Sequence, residues 1–474
     1  MREAASNPHS AESPEQAPQS ASAFGEAKAL VRLAAPLALA NLGQVLLGVV
    51  DTAVLGRLGA SELGGAGLGN SLYFAITTIG LGVMMGLDAL IAQAHGAGEA
   101  RRARRTLWQG LWLAGLFSVP LILVILLIAS LLPHAGVPPE VAAQAQTYIH
   151  ARCLGVVPFL MFAALRSYLQ SVGRPSPMLF ASLLVNLLNL PLTWFLVFGD
   201  AGFERLGFNE VTLGIPALGV AGAGITSVFC AAVQVAVLTW FVRRVPVPSG
   251  ERSLRRPVPA LMRRAVQLGL PVGFTLLAEV GIFALTNVAM GNLGQTAIAA
   301  HQVAMILASG TFMVPLGIGA AASVRVGAAI GRRDALGVRR AGGAALAAGV
   351  CFMSCAALAF LLVPEPIARL ITDQPEVLRV AVPLLFVAAV FQVFDGAQTV
   401  LAGALRGAGD TRVTLAWNLG GYYLIGAPIG LWLAFQRGWG AQGLWWGLSA
   451  GLVCVALGLA WRFHRVSGRP LARA

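Results

Sequence analysis

Apolar residues run along this chain in twelve long stretches, near 30–55, 68–94, 107–132, 142–168, 176–199, 216–242, 265–290, 296–324, 341–363, 378–404, 412–435 and 441–463. Each reaches the ~20 residues that a helix needs to cross a hydrocarbon core. Polar residues gather between the stretches, and the basic ones do so unevenly. They follow every even-numbered stretch: Arg101, Arg102, Arg104 and Arg105; Arg166 and Arg174; Arg243 to Arg264; Arg332 to Arg340; Arg406 and Arg412; Arg462 and Arg465. The odd-numbered exits hold few. The pattern predicts an all-α polytopic membrane protein of twelve transmembrane helices with an even count of crossings, and the positive-inside rule places both termini in the cytoplasm.

The halves repeat. Adding 235 to a residue number carries Pro36 to Pro271, Gly56 to Gly291, Leu58 to Leu293, Gly59 to Gly294 and Gly82 to Gly317, and a shift of 236 later carries Leu169 to Leu405 and Gly173 to Gly409. Six helices per repeat insert both halves the same way, related by an axis along the membrane normal. The expected organisation is a disordered cytoplasmic tail over 1–29, an N-lobe of helices 1–6 over 30–242, a basic cytoplasmic linker over 243–264, a C-lobe of helices 7–12 over 265–464 and a cytoplasmic tail over 465–474. Two pseudo-symmetric six-helix lobes then enclose a cavity and rock for alternating access.

Within the stretches, three carboxylates stand alone. Glu279 is the only Asp, Glu, Lys or Arg between Arg264 and Arg325, Asp51 the only one between Arg32 and Arg57, and Asp395 the only one between Arg379 and Arg406. An ionisable group at bilayer depth is costly unless paired, protonated or facing water, so each is a candidate site. At ~1.5 Å per residue, Glu279 lies about 22 Å from Arg264 and Asp395 about 17 Å from Arg406, a similar depth. Each acid shares a helix face with other polar residues. The sets are Asn41, Gln44 and Asp51; Thr275, Glu279 and Thr286; and Gln392, Asp395 and Thr399. The repeat does not explain the acids, since Glu279 falls on Gln44, Asp51 on Thr286 and Asp395 on Phe159. Two carboxylates in a low-dielectric site repel, so one of Glu279 and Asp395 is expected to be protonated or a cation to bridge them.

Composition agrees with lipid solvation: 57% of residues are apolar and 11% charged, and mean hydropathy is +0.76. The formal charge of +13 then reflects topology and attraction to the inner leaflet, with no nucleic acid as partner. The N-terminal stretch lacks the layout of a cleaved signal peptide. The five cysteines fall in apolar stretches without CxxC spacing, which reads as buried helix residues rather than redox or metal chemistry.

Certain runs are specific. Val50-Asp51-Thr52 with Gly56-Arg57-Leu58-Gly59, Ala299 to Ala304 (AAHQVA), Pro315 to Gly327 (PLGIGAAASVRVG) and Leu405 to Asp410 (LRGAGD) resemble the multidrug and toxic compound extrusion (MATE) family, and Glu279 with Asp395 before Gln398 is similar to its NorM-type branch. The resemblance covers about 30–464. It implies efflux of organic cations or amphipathic drugs, coupled to inward Na⁺ or H⁺. It also implies a C-lobe ion site at Glu279 and Asp395 and an N-lobe network of Asp51 and Asn189. One departure weakens the second: four residues after Asn189, where the family usually has Asn or Asp, stands Thr193.

Gln44, Thr275, Gln392, Gln398 and Tyr422 are the expected cavity-lining residues; Tyr423 shares with Tyr422 the option of stacking on a cation. Asp88 reads as a partner for nearby arginines, with an inner-gate carboxylate as the alternative; His301 reads as a hydrogen-bonded packing histidine, with a titrating group as the alternative; and Arg152 is left unassigned as a cation that snorkels outward. Gly82-xxx-Gly86 and Gly65-xxx-Gly69 read as close helix contacts. Gly447-Leu448-Ser449-Ala450-Gly451 has the GxSxG form but lies inside an apolar span, not at a strand-to-helix turn, so no catalytic role follows. With no phosphate-cradling loop ending in Gly-Lys-Ser/Thr, ATP is not the expected energy source. The expected function is a secondary antiporter in the inner membrane, acting as a monomer and needing no cofactor. The alternatives are a flippase for lipid-linked saccharides, which needs a cationic cavity that the lone acids oppose, and an intramembrane enzyme.

Overall fold

The computed structural model describes residues 23–205, 207, 213–246, 255–468 and 473. Its long helices are α1 (Ala23–Leu55), α2 (Ala60–Gly96), α3 (Ala100–Leu131), α4 (Pro139–Ser171), α5 (Ser176–Phe198), α6 (Val220–Arg243), α7 (Pro259–Gly291), α8 (Gln295–Gly331), α9 (Ala335–Leu362), α10 (Pro375–Gly407), α11 (411–436) and α12 (Gly440–Ser467). Eleven are continuous enough and apolar enough to cross a membrane among the described residues. The twelfth crossing, α11, departs from the plain helix expected there. It is α-helical over Thr411–Leu419, widens into π turns over Gly420–Gly426, returns to α over Ala427–Leu431 and widens again over Trp432–Gln436. Glycines bring α11 against α12: a Cβ added at Gly447 would sit 2.2 Å from Gly430 Cα. Backbones that close leave no room for side chains between them.

The 235-residue repeat holds at the level of helix ends. Ala60–Gly96 maps onto Gln295–Gly331 at both ends, and a shift of 236 maps the end of α4, Ser171, onto Gly407. The twelve helices thus form two pseudo-symmetric six-helix lobes. Each lobe's first helix starts in the other's core. Leu30 and Ala34 of α1 pack into the cluster of α8, α9, α10 and α12, while Ala265 and Leu268 of α7 join that of α2, α3 and α4.

Two expected boundaries shift. The tail expected over 1–29 is helical from Ala23, because Glu26 pairs with Arg325 of α8 and Leu30 is buried; residues 1–22 lie outside the described residues. The linker expected over 243–264 gives up its last residues to α7, whose first turn carries Pro259, a residue that costs nothing there because the N–H it lacks would have no helical partner. Residues 247–254 of that linker lie outside the described residues. The cysteine reading holds for Cys153 and Cys230 but not for Cys351 and Cys355, which are exposed on α9. All five are free thiols.

The lobes meet at the end of the bundle that carries the basic loops. Gly82 of α2 lies so close to α7 that an added Cβ would meet Gly273 Cα at 2.1 Å, and one at Gly86 would meet Gly269 Cα at 2.6 Å. A Cβ on Gly96 would likewise meet the backbone of Ala328, and one on Gly331 the Gln93 carbonyl. The GxxxG reading of Gly82 and Gly86 therefore holds, as does that of Gly65 and Gly69, which seat α2 on Ala145 and Tyr148. Polar bonds reinforce the closure. Gln93 donates to the Gly407 carbonyl at 3.0 Å, and Asp88 pairs with Arg406 of α10 at 3.4 Å.

Candidate functional site

Three polar clusters emerge from these helices. The first surrounds Glu279. Its Oε1 accepts a 2.7 Å hydrogen bond from Gln398 Nε2, one turn beyond Asp395 on α10. The same amide donates to Asn418 Oδ1 at 3.2 Å, Thr399 donates to Gln398 Oε1 at 3.1 Å, and Asn418 returns to the Thr414 carbonyl at 2.9 Å. Asp395 lines the same cavity as Glu279. Among the described residues nothing donates a hydrogen bond to Asp395, and no cation pairs with either acid. Two carboxylates on apolar walls without a countercharge carry an electrostatic cost that a proton or a small cation would relieve.

Both acids open onto a cavity of about 490 Å³ whose walls include Phe74, Phe283, Phe312, Phe391, Met305 and Met313. Thr275, Gln398 and Tyr422 also line it, as the sequence predicts. The π turn carries Tyr422 inward, while Tyr423 turns to donate to the Ala278 carbonyl at 2.9 Å. Two other expected lining residues are elsewhere. Gln44 is only half-buried and does not line the cavity. Gln392 is fully buried behind the wall, where it accepts from Thr311.

At the basic end the same cavity is lined by Asp88, Arg166, Ser167, Gln170 and Arg406. Asp88 Oδ1 accepts from Ser167 at 2.5 Å and from Gln170 at 2.8 Å, while Oδ2 faces Arg406. Asp88 is thus a partner for an arginine, as expected, but that arginine belongs to the other lobe. Arg166 donates to Asn41 Oδ1 at 3.0 Å, which takes Asn41 off the stripe it shares with Asp51 in sequence.

The third cluster lies apart, inside the N-lobe. Asp51 Oδ1 accepts from Asn189 at 3.1 Å and from Thr193 at 3.2 Å, and Ser227 of α6 approaches Oδ2 at 3.4 Å. The departure at Thr193 therefore preserves a contact to Asp51 instead of removing it. Asn189 Oδ1 is buried without a partner, a free acceptor beside the carboxylate. Arg152 does not snorkel outward. It donates to Asn70 at 2.8 Å and to the Tyr148 hydroxyl, and lies over the Tyr73 ring at 4.6 Å, with its charge within reach of Asp51.

His301 and Ser449 both serve packing. His301 accepts from Trp445 Nε1 at 3.2 Å inside an aromatic cluster with Phe391. Ser449 donates to the Trp445 carbonyl of its own helix at 2.9 Å. Asn418, Thr414 and Ser227 were not singled out in the sequence; lone polar residues in apolar helices were the available signal.

A family model, MatE, matches the chain over 36–195 and again over 271–432, one match per lobe. A "Probable multidrug resistance protein NorM" of Bradyrhizobium diazoefficiens is 39% identical over 93% of this chain and 93% of its own length. A "Multidrug resistance protein NorM" of Burkholderia vietnamiensis is 39% identical over 91% of this chain and 92% of its own length. Among solved structures, the eukaryotic MATE transporter AtDTX14 superposes with a TM-score of 0.80 at 22% identity, covering 94% of this chain and 98% of its own. An outward-facing multidrug resistance MATE family transporter of the MOP superfamily does so with a TM-score of 0.82 at 21% identity, covering 93% and 96%.

Proposed function

Since this chain belongs to the MATE family and is a multidrug efflux transporter, we propose that it exports organic cations or amphipathic drugs by antiport with Na⁺ or H⁺. The observation that carries this reading is the uncompensated pair Glu279 and Asp395 on the wall of an aromatic and Met-lined cavity. A flat cationic drug finds ring faces for its body and carboxylates for its charge. The coupling ion competes for the same charge: when it occupies the acids, the drug's hold weakens and release follows. The Asp51, Asn189, Thr193 and Ser227 oxygens are proposed as a second ion site. Na⁺ or H⁺ is cargo here, and no resident cofactor is proposed.

The basic end is proposed to be cytoplasmic, with both termini inside, since that is where the arginines gather. The structure is then one in which the cavity is sealed from the cytoplasm. The proposed location is the inner membrane, with a single chain as the transport unit, because one chain holds both lobes and the cavity. Entry of one positive charge down about 100 mV releases about 2.3 kcal/mol. A tenfold ion gradient adds about 1.4 kcal/mol. Together they support several-hundredfold expulsion per ion.

Dye efflux from vesicles under separately imposed Na⁺ and pH gradients tests the coupling. Glu279→Gln and Asp395→Asn are expected to abolish gradient-driven efflux while the protein remains folded in the membrane. Wild-type rates from both variants would overturn the assignment. The saccharide flippase reading loses ground because the acids face the cavity's apolar wall, whereas its cationic groups are confined to the basic end and partly neutralised by Asp88.

A further inference from the structure

Outside the transport cavity, the basic end holds a second cleft, of about 560 Å³, lined by Gly98, Glu99, Arg101, Arg102, Arg105 and, across from them, Val258 and Leu261. One wall is the α2–α3 turn and the first turns of α3, in the N-lobe. The other is the linker end and first turn of α7, in the C-lobe. The single carboxylate is already matched, since Glu99 pairs with Arg102 at 3.2 Å and with Arg473 at 2.8 Å. Arg101 and Arg105 are exposed, and among the described residues nothing bonds their guanidinium groups.

The same face of α3 continues away from the cleft in a definite order. Arg101 and Arg105 are followed at helical spacing by Trp108 and Trp112, then by Leu116, Val119, Leu123 and Leu127. From Trp112 onward each is more than half exposed. Arg255 lies over the Trp108 ring at 4.6 Å, and Trp112 donates to the Arg255 carbonyl at 2.9 Å, so the two indoles are anchored where helix and linker meet. Cation, interfacial indole and aliphatic stripe is the sequence of environments met on passing from a phosphate headgroup through the interface to the acyl chains.

We propose that this cleft is a binding site for an anionic phospholipid of the adjoining leaflet, its phosphate between Arg101 and Arg105 and its acyl chains along the α3 stripe. Charge complementarity and the continuity of the aliphatic stripe favour a lipid over a soluble anion, which has no use for the stripe. The lipid touches both lobes in the state that is closed at the basic end. It therefore stabilises that state and biases the transport equilibrium by its differential contact.

Lipid retention by the purified full-length protein tests this, read by native mass spectrometry after exposure to mixed phosphatidylglycerol and phosphatidylcholine micelles. Wild type is expected to retain phosphatidylglycerol preferentially. The triple variant R101Q/R102Q/R105Q is expected to lose that preference by roughly tenfold. A variant losing Arg243 and Arg244, which lie at the same end but outside the cleft, is expected to keep it. No preference in wild type, equal loss in both variants, or displacement of the lipid by inorganic phosphate would each overturn the proposal. The readout does not depend on transport, so failure of the efflux reading would be distinguishable from failure of this one. The Arg243 and Arg244 control, monodisperse on gel filtration alongside the triple variant, separates a lost site from a lost fold.

Discussion

Glu279 is held by one hydrogen bond, from Gln398, and that bond makes the neighbouring residue a tuning element for the acid. A hydrogen bond to a charged acceptor is worth about 1.5–3 kcal/mol, and Gln398 also ties α10 to Asn418 of α11. Replacing it with Leu preserves volume and removes the donor while leaving both acids in place. We expect Gln398→Leu to change the ion concentration at half-maximal efflux by about tenfold or more, with maximal efflux falling less than in Glu279→Gln. A titration of dye efflux against pH and against Na⁺ reads the difference; an unmoved midpoint for both ions would remove Gln398 from the site. In the N-lobe, Thr193→Val deletes one of three donors to Asp51 without altering size. If the second ion site operates, this variant lowers the coupling ratio of ion to drug while Glu279 and Asp395 still bind the dye. Radiolabelled Na⁺ uptake against dye export measures that ratio, and an unchanged ratio would leave Asp51 a packing residue.

At the scale of elements, the bundle depends on backbone contacts that only small residues permit. Gly82 faces Gly273 across the lobe boundary, and Gly67, on the same helix, faces nothing within 4 Å. Gly82→Leu forces α2 and α7 apart, and overpacking of this kind costs about 1–3 kcal/mol. We expect the melting temperature of the purified protein to fall for Gly82→Leu and to stay near wild type for Gly67→Leu. Equal melting of the two would deny the crossing its role. Such elements were legible in the sequence to different degrees. The twelve spans, the repeat and the paired glycines show directly, because bilayer thickness and small-residue spacing act locally along one helix. The π turns of α11 do not, since they answer to Gly447 and Gly451 on the next helix, and the inward turn of Tyr422 follows from them. Nor do the destinations of polar groups. Asn41 and Asp51 share a helical face in α1, yet one bonds Arg166 of α4 and the other Asn189 of α5. A lone acid in an apolar run marks a site; its partners come from helices more than a hundred residues away in number, which no periodicity records.

For the whole molecule, the decisive question is what keeps the cavity shut at the basic end. Among the described residues, the polar links that cross between the lobes there include Asp88 to Arg406, Gln93 to the Gly407 carbonyl, and Glu26 to Arg325. Two of them converge on adjacent residues of α10, and Asp88 also receives Ser167 and Gln170, so its carboxylate is positioned before the lobes meet. A buried pair is costly to assemble but costlier to break on one side, because the remaining charge is left uncompensated. Asp88→Asn should therefore destabilise the closed state far more than it perturbs either lobe. Shifting a two-state equilibrium by about 2–3 kcal/mol changes the populations by roughly 30- to 150-fold, enough to convert a mostly closed protein into a mostly open one. We expect the variant to expose the cavity to the basic side, with a maleimide reporter at Ser167→Cys becoming reactive from the cytoplasmic face of inverted vesicles. Efflux should slow because the return to the closed state becomes the slow step. The exchange variant Asp88→Arg with Arg406→Asp restores opposite charges across the boundary and should recover closure in part. Labelling of the cysteine reporter at the wild-type rate in Asp88→Asn would show that glycine packing alone, through Gly82, Gly86 and Gly96, holds the lobes together.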